Sequence, residues 1–102
     1  GASSLAYGIA KAGVECLVKQ AAREMAADGV LVNGVAPGFI LTQFHTRRMK
    51  RSSDQLSARA QMVPLKRSGD PADVARLIDF LASEKNRYIT GEIIRIDGGD
   101  FI

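Results

Sequence analysis

Apolar residues recur along the first part of the chain at the spacing of one helical face. Val14, Leu17, Val18, Ala21 and Met25 follow an i, i+3, i+4, i+7, i+11 rhythm, while Lys11, Glu15, Lys19 and Arg23 fall on another side. The pattern predicts a helix from about Leu5 to Ala27, with Ser3 or Ser4 able to cap its start and Gly29 placed to end it in a left-handed turn. The period then changes. Val30-Leu31-Val32-Asn33-Gly34-Val35-Ala36 predicts a strand buried on both faces, as in parallel sheets, and Pro37-Gly38 stops it.

Phe39 to about Lys66 is the least regular stretch, with a short helix expected between Asp54 and Met62. Asp70-Pro71-Ala72-Asp73 reads as a helix start, with Asp as N-cap, Pro at the first helical position and acid at the third. Val74, Leu77, Ile78 and Leu81 supply its apolar stripe. Thr90-Gly91 leads into a second strand, Glu92 to Asp97, closed by Gly98-Gly99. The order is helix, strand, irregular excursion, helix, strand. Two strands joined through a helix suit a right-handed parallel crossover, so the fold class is α/β, part of an open sheet. Two strands alone leave an edge and apolar faces uncovered.

Composition changes this picture little. A chain of 102 residues suffices for one small domain with a modest core, and 46% apolar with 25% charged content is ordinary for a globular protein. No apolar stretch approaches a membrane span and no signal-like segment opens the chain, so no membrane partner is expected. Cys16 is the single cysteine; it makes no internal disulfide and no metal site, and a reducing, cytoplasmic setting is expected. On a helical apolar face it reads as a small buried hydrophobe.

The net charge of +3 is unevenly placed. Between Gln43 and Arg67 lie seven basic residues, Arg47, Arg48, Lys50, Arg51, Arg59, Lys66 and Arg67, against Asp54 alone. Such a segment is a solvated surface, or an attractor of phosphate-bearing or acidic partners. Only Phe44 interleaves with these charges, so nucleic acid is not an expected partner.

Candidate chemistry lies near the start. Tyr7 and Lys11 are one helical turn apart, about 6 Å along the axis, and so share a face. An ammonium beside a phenol favours the phenolate and suits the phenol to proton transfer, and it can still donate hydrogen bonds to a ligand hydroxyl. By itself the pair is more simply a half-buried tyrosine beside a solvated lysine.

Three further segments follow in order: Val32-Asn33-Gly34-Val35-Ala36-Pro37-Gly38-Phe39-Ile40-x-Thr42, then Pro64-Leu65-x-Arg67-x-Gly69-x-Pro71-x-Asp73-Val74-Ala75, then Ile89-Thr90-Gly91-Glu92 with Asp97-Gly98-Gly99. With Tyr7-Gly8-Ile9-Ala10-Lys11-Ala12-Gly13 they resemble the C-terminal part of the short-chain dehydrogenase/reductase family. Bacterial 3-oxoacyl-carrier-protein reductases are among the nearest-looking members, and the match covers essentially the whole chain. The resemblance implies the C-terminal part of a Rossmann-type doubly wound parallel sheet, with residues 1–102 a segment of a single NAD(P)-binding domain. It implies NAD- or NADP-dependent hydride transfer to or from a small carbonyl or alcohol substrate. Tyr7 would exchange a proton with the substrate oxygen, and Lys11 would assist it and hold the nicotinamide ribose. Pro37 and Gly38 would let the backbone approach the nicotinamide, Ile40 would offer main-chain groups to the carboxamide, and Thr42 a hydroxyl to the carboxamide or pyrophosphate. Residues 43–66 would form a substrate lid, with Phe44 and His45 near its hinge; His45 reads equally as a loop histidine.

Gly98-Gly99 read more simply as turn glycines than as ligand contacts, Asn33 as a backbone-bonding residue, and Arg67 and Asp73 as structural. The family's Gly-rich pyrophosphate turn and its catalytic serine have no counterpart in these residues, and Ser3 and Ser4 stand too close to Tyr7 to be that serine. The expectation is that this chain alone is inactive and needs an N-terminal half, in the same or a companion chain, within a homo-oligomer. The alternative is a non-catalytic truncated remnant acting as an interaction or structural module.

Overall fold

The structure, a computed structural model, describes residues 4–42 and 52–101. Its elements are α1 (Ser4–Met25), a 3-10 turn (Ala26–Asp28), β1 (Gly34–Pro37), α2 (Ser53–Gln61), α3 (Pro71–Ala82) and β2 (Ile93–Ile96). Strands β1 and β2 pair as a two-stranded sheet. The Gly34 N–H donates to the Glu92 carbonyl at 2.8 Å and the Gly38 N–H to the Ile96 carbonyl at 3.0 Å. Both ends of the ladder advance together, so the pairing is parallel, and the α/β class expected from the sequence is observed.

The chain separates into two compact units. The first comprises residues 1–34 and 81–94, the second residues 35–80 and 95–102. In the first, α1 ends through the 3-10 turn at Gly29, whose φ of 74° is left-handed, as the sequence predicts. Of α1, Val18 and Ala22 are buried. A Cβ on Gly34 would stand 3.4 Å from Val18 Cγ2, and one on Gly91 3.5 Å from Ala22 Cβ, so small residues let the helix lie close to the backbone at these two positions. The apolar face is narrower than its rhythm suggests: Val14, Leu17 and Met25 are exposed, and Cys16 is exposed rather than buried.

The first strand is also shorter than expected, and only half-buried. Val30 to Asn33 stay outside the ladder because their polar groups are engaged otherwise. The Val32 N–H donates to Thr90 Oγ1 at 2.9 Å, and the Val32 carbonyl accepts from the Gly91 N–H at 2.7 Å. Asn33 uses both ends of its amide on backbone: Nδ2 donates to the Ile89 carbonyl and Oδ1 accepts from the Glu92 N–H. Asn86, buried, does the same for the loop after α3, donating to the Leu81 and Ile89 carbonyls and accepting from the Ile89 N–H. Amides suit this task because each carries both donors and an acceptor.

The second unit is centred on the buried Phe39 and Val63. Ser52 caps α2, its hydroxyl accepting from the Gln55 N–H while Gln55 Oε1 accepts from the Ser52 N–H, a complete capping box. At the start of α3 the Asp73 carboxylate accepts from the Asp70 N–H at 2.8 Å and pairs with Arg67 at 3.1 Å, a structural role for both, as expected. The Asp70 N–H first, then the Arg67 hydrogen bond, hold the Asp73 carboxyl below the usual carboxylate range. The chain closes at Gly98 and Gly99, whose φ values of 62° and 89° make them turn glycines. Among the described residues no helix is long and apolar enough to cross a membrane.

Candidate functional site

The expected site residues divide between the two units. Tyr7 and Lys11 belong to the first, and Pro37, Gly38, Ile40 and Thr42 to the second. His45, Phe44, Ser3 and the basic residues Arg47, Arg48, Lys50 and Arg51 lie outside the described residues, as do 43–51 of the expected lid.

Within α1, a rotation of about 100° per residue puts Tyr7 and Lys11 on the same stripe as Val14, Val18 and Ala22, so Lys11 shares that side of the helix and does not fall on another, as the sequence pattern suggests. The stripe whose Val18 and Ala22 are buried beside Gly34 and Gly91 therefore carries the phenol and ammonium in the helix's N-terminal half. Both are exposed, Tyr7 at 68%. The helix thus offers a proton-carrying hydroxyl and a cation one turn apart, on the stripe of Val18 and Ala22.

In the second unit, β1 ends at Pro37. Its neighbour Gly38 donates to β2, and by strand alternation the Pro37 nitrogen points away from β2, where a missing N–H removes no bond. Gly38 is required by packing: a Cβ there would stand 2.5 Å from Asp97 Cβ and 2.8 Å from Asp97 Cα. The room a glycine leaves at this turn is therefore already taken by Asp97. Beyond it, Ile40 forms an isolated parallel bridge with Gly69. The Gly69 N–H donates to the Phe39 carbonyl at 2.8 Å and the Leu41 N–H to the Gly69 carbonyl at 2.9 Å. That pattern uses the groups flanking Ile40 and turns the N–H and C=O of Ile40 itself to the opposite side. Thr42 is half-buried.

Asp97 is a residue that sequence reasoning did not single out beyond its place in the closing motif. Its Oδ1 accepts from the Gly99 N–H at 3.0 Å, and its Oδ2 is buried with no hydrogen-bond partner among the described residues. A cleft of about 540 Å³ opens beside it in this unit, lined among others by Ile40, Leu65, Arg67, Arg95 and Gly98. The signal for Asp97 was its position before two glycines, but its packing against Gly38 is a contact between distant parts of the chain. Among the described residues no group of three or more His, Cys, Asp or Glu could hold a metal ion.

Comparison with known proteins gives this geometry a context. The family described as Enoyl-(Acyl carrier protein) reductase matches residues 1–100. The chain is 44% identical over 96 residues to the 3-oxoacyl-[acyl-carrier-protein] reductase FabG of Staphylococcus epidermidis, which covers 94% of the chain and 38% of that relative. It is 43% identical over 96 residues to the (3R)-3-hydroxyacyl-CoA dehydrogenase of Mus musculus, covering 94% of the chain and 36% of the relative. Among solved structures, YwfH, an NADPH dependent reductase involved in bacilysin biosynthesis, superposes with a TM-score of 0.77 at 36% identity, over 88% of this chain and 37% of that one. The chain thus spans well under half the length of the relatives it matches. With the family match running over nearly all of its residues, the chain belongs to the short-chain dehydrogenase/reductase family and resembles its 3-oxoacyl-[acyl-carrier-protein] reductases.

Proposed function

We propose that this chain supplies the proton-transfer pair and part of the nicotinamide cradle of an NAD(P)-dependent oxidoreductase acting on a carbonyl or alcohol. The observation that carries the reading is the stripe of α1: Tyr7 and Lys11 stand exposed, one turn apart, on the stripe whose Val18 and Ala22 are buried further along. Tyr7 Oη gives its proton to a substrate carbonyl oxygen in reduction and takes one from a hydroxyl in oxidation. Lys11 donates to ribose hydroxyls through its ammonium and steadies negative charge on the phenol oxygen. The Ile40 main chain, turned away from Gly69, offers a donor and an acceptor to a carboxamide, and Pro37, Gly38 and Thr42 hold that end of the cradle. A nicotinamide bound there supplies or accepts the hydride.

Its similarity to a 3-oxoacyl-[acyl-carrier-protein] reductase and a (3R)-3-hydroxyacyl-CoA dehydrogenase favours 3-oxoacyl or 3-hydroxyacyl thioesters as the substrate class, and its similarity to an NADPH dependent reductase favours NADPH. The chain works with an N-terminal portion carrying the dinucleotide platform, in the cytoplasm, as a homo-oligomer. The test is reconstitution. The chain is assayed for NADPH oxidation with a 3-oxoacyl thioester alone and together with the N-terminal portion of a FabG-like reductase, joined or separate. Activity only in the combined form is expected; no activity in any combined form would sink the reading.

A second reading is favoured by one observation. Leu5, Ile9 and Leu17 are apolar and exposed at 75%, 65% and 66% on α1. A helix with that much open apolar surface serves a non-catalytic interaction module as well as it serves an enzyme. Folded, combined protein that binds no dinucleotide would favour this second reading.

A further inference from the structure

Arg59 near the end of α2 joins three parts of the second unit. Its Nη2 donates to Asp100 Oδ2 at 2.5 Å, with the two side chains 34% and 18% exposed. A charge-assisted bond partly withdrawn from water holds its geometry better than a surface pair. The same guanidinium lies over the Phe39 ring, 5.1 Å from its centroid, within the range of a cation–π contact. Phe39 is buried, and its carbonyl accepts from the Gly69 N–H, so its main chain and its ring are held from separate sides.

Asp100 reaches Arg59 through a built turn. The Asp100 N–H donates to the Asp97 carbonyl, the Gly99 N–H to Asp97 Oδ1, and Gly98 leaves no room for a Cβ beside Val63 Cγ1, which would lie at 2.8 Å. Arg59 Nη1 is buried with no hydrogen-bond partner among the described residues. Without Asp100 the guanidinium would therefore be a half-buried cation with one face on a ring and nothing to orient it, a costly arrangement that relaxes by swinging out.

We propose that Arg59 and Asp100 are positioning residues: together they clamp Phe39, and through it the Pro37–Ile40 turn, in the conformation that receives the nicotinamide. The inference rests on the reading of the previous subsection. Phe39 directly follows Gly38, so a shift of its ring moves the Ile40 main chain, while Tyr7 and Lys11 belong to a different compact unit. Losing the clamp therefore weakens dinucleotide binding more than it slows proton transfer.

The test uses the active combined reductase carrying Asp100→Asn, Arg59→Met, Arg59→Lys or Phe39→Leu. For each, KM for NADPH, KM for the 3-oxoacyl thioester, kcat and thermal midpoint are measured. Asp100→Asn, Arg59→Met and Phe39→Leu each raise the NADPH KM about tenfold while kcat stays within about threefold. Arg59→Lys keeps the charge but not the planar stacking and falls between. An NADPH KM within about twofold of the parent in all of them overturns the clamp, as does a proportional rise in both KM values. A variant that does not fold leaves the remaining three to decide, and general failure of all four to fold assigns the cluster to stability and overturns it too. A parent without NADPH-dependent activity overturns the underlying reading instead.

Discussion

Gly38 and Asp97 are packed so closely that a single methyl group on Gly38 would overlap the Asp97 side chain and Cα. The contact joins the end of β1 to the residue after β2, at the point where the Gly38 N–H also donates to the Ile96 carbonyl. Backbone on both sides leaves little room to yield. Gly38→Ala is expected to cost about 1–3 kcal/mol of stability through overpacking, and urea unfolding of the combined protein measures it. An unchanged midpoint would show that the turn accommodates a side chain.

The amide of Asn86 makes three hydrogen bonds to backbone groups while 6% exposed. Asn86→Ala leaves the Leu81 and Ile89 groups with fewer partners, which is expected to destabilise by about 1–3 kcal/mol. Amide hydrogen exchange at Ile89 should quicken in the variant. Retained protection there would contradict the assignment.

At the N-terminus of α2, Ser52→Ala removes half of an exposed capping box, and a loss of about 1 kcal/mol is expected. Ser52→Asp should restore most of it. Circular dichroism during thermal unfolding reads both.

The Asp73 carboxyl, held below its ordinary value by the Asp70 N–H and by Arg67, links stability to acid. A carboxyl whose folded pKa is depressed contributes stability that is complete above its unfolded pKa and is lost as pH falls through the folded one. The window therefore opens near the unfolded value of about 3.9 and extends downward. Comparing Asp73→Asn with the parent across pH 2–7 (roughly the span of carboxyl titration) should show curves that converge toward the acid end. Arg67→Gln should reduce the difference. A constant offset at all pH values would exclude the linkage.

The parts of this fold that were readable from the sequence are those set by neighbours in the chain. The short helix between Asp54 and Met62, the Asp70-Pro71 start of α3, the Gly29 stop and the i, i+4 relation of Tyr7 to Lys11 all depend on residues within one or two turns. The misjudged features depend on distant partners. β1 is shorter than its apolar run because Val32 meets Thr90 instead of a ladder partner, a contact 58 residues apart. Val14 and Leu17 have the right period for a buried face, yet of α1 Val18 and Ala22 are the buried residues. The Arg59–Asp100 pair spans 41 residues, and Arg59 looked like one more charge in a basic segment. The candidate site was legible as a motif; the clamp and the Asp97 packing around it were not.

Everything proposed for the chemistry turns on the Tyr7 hydroxyl. In the combined reductase, Tyr7→Phe removes one oxygen from an exposed side chain and leaves the helix intact. Steady-state turnover with a 3-oxoacyl thioester should fall by about 10²-fold or more, while NADPH affinity by fluorescence titration stays within about threefold of the parent. Turnover close to the parent's in the phenylalanine variant would contradict the role given to Tyr7.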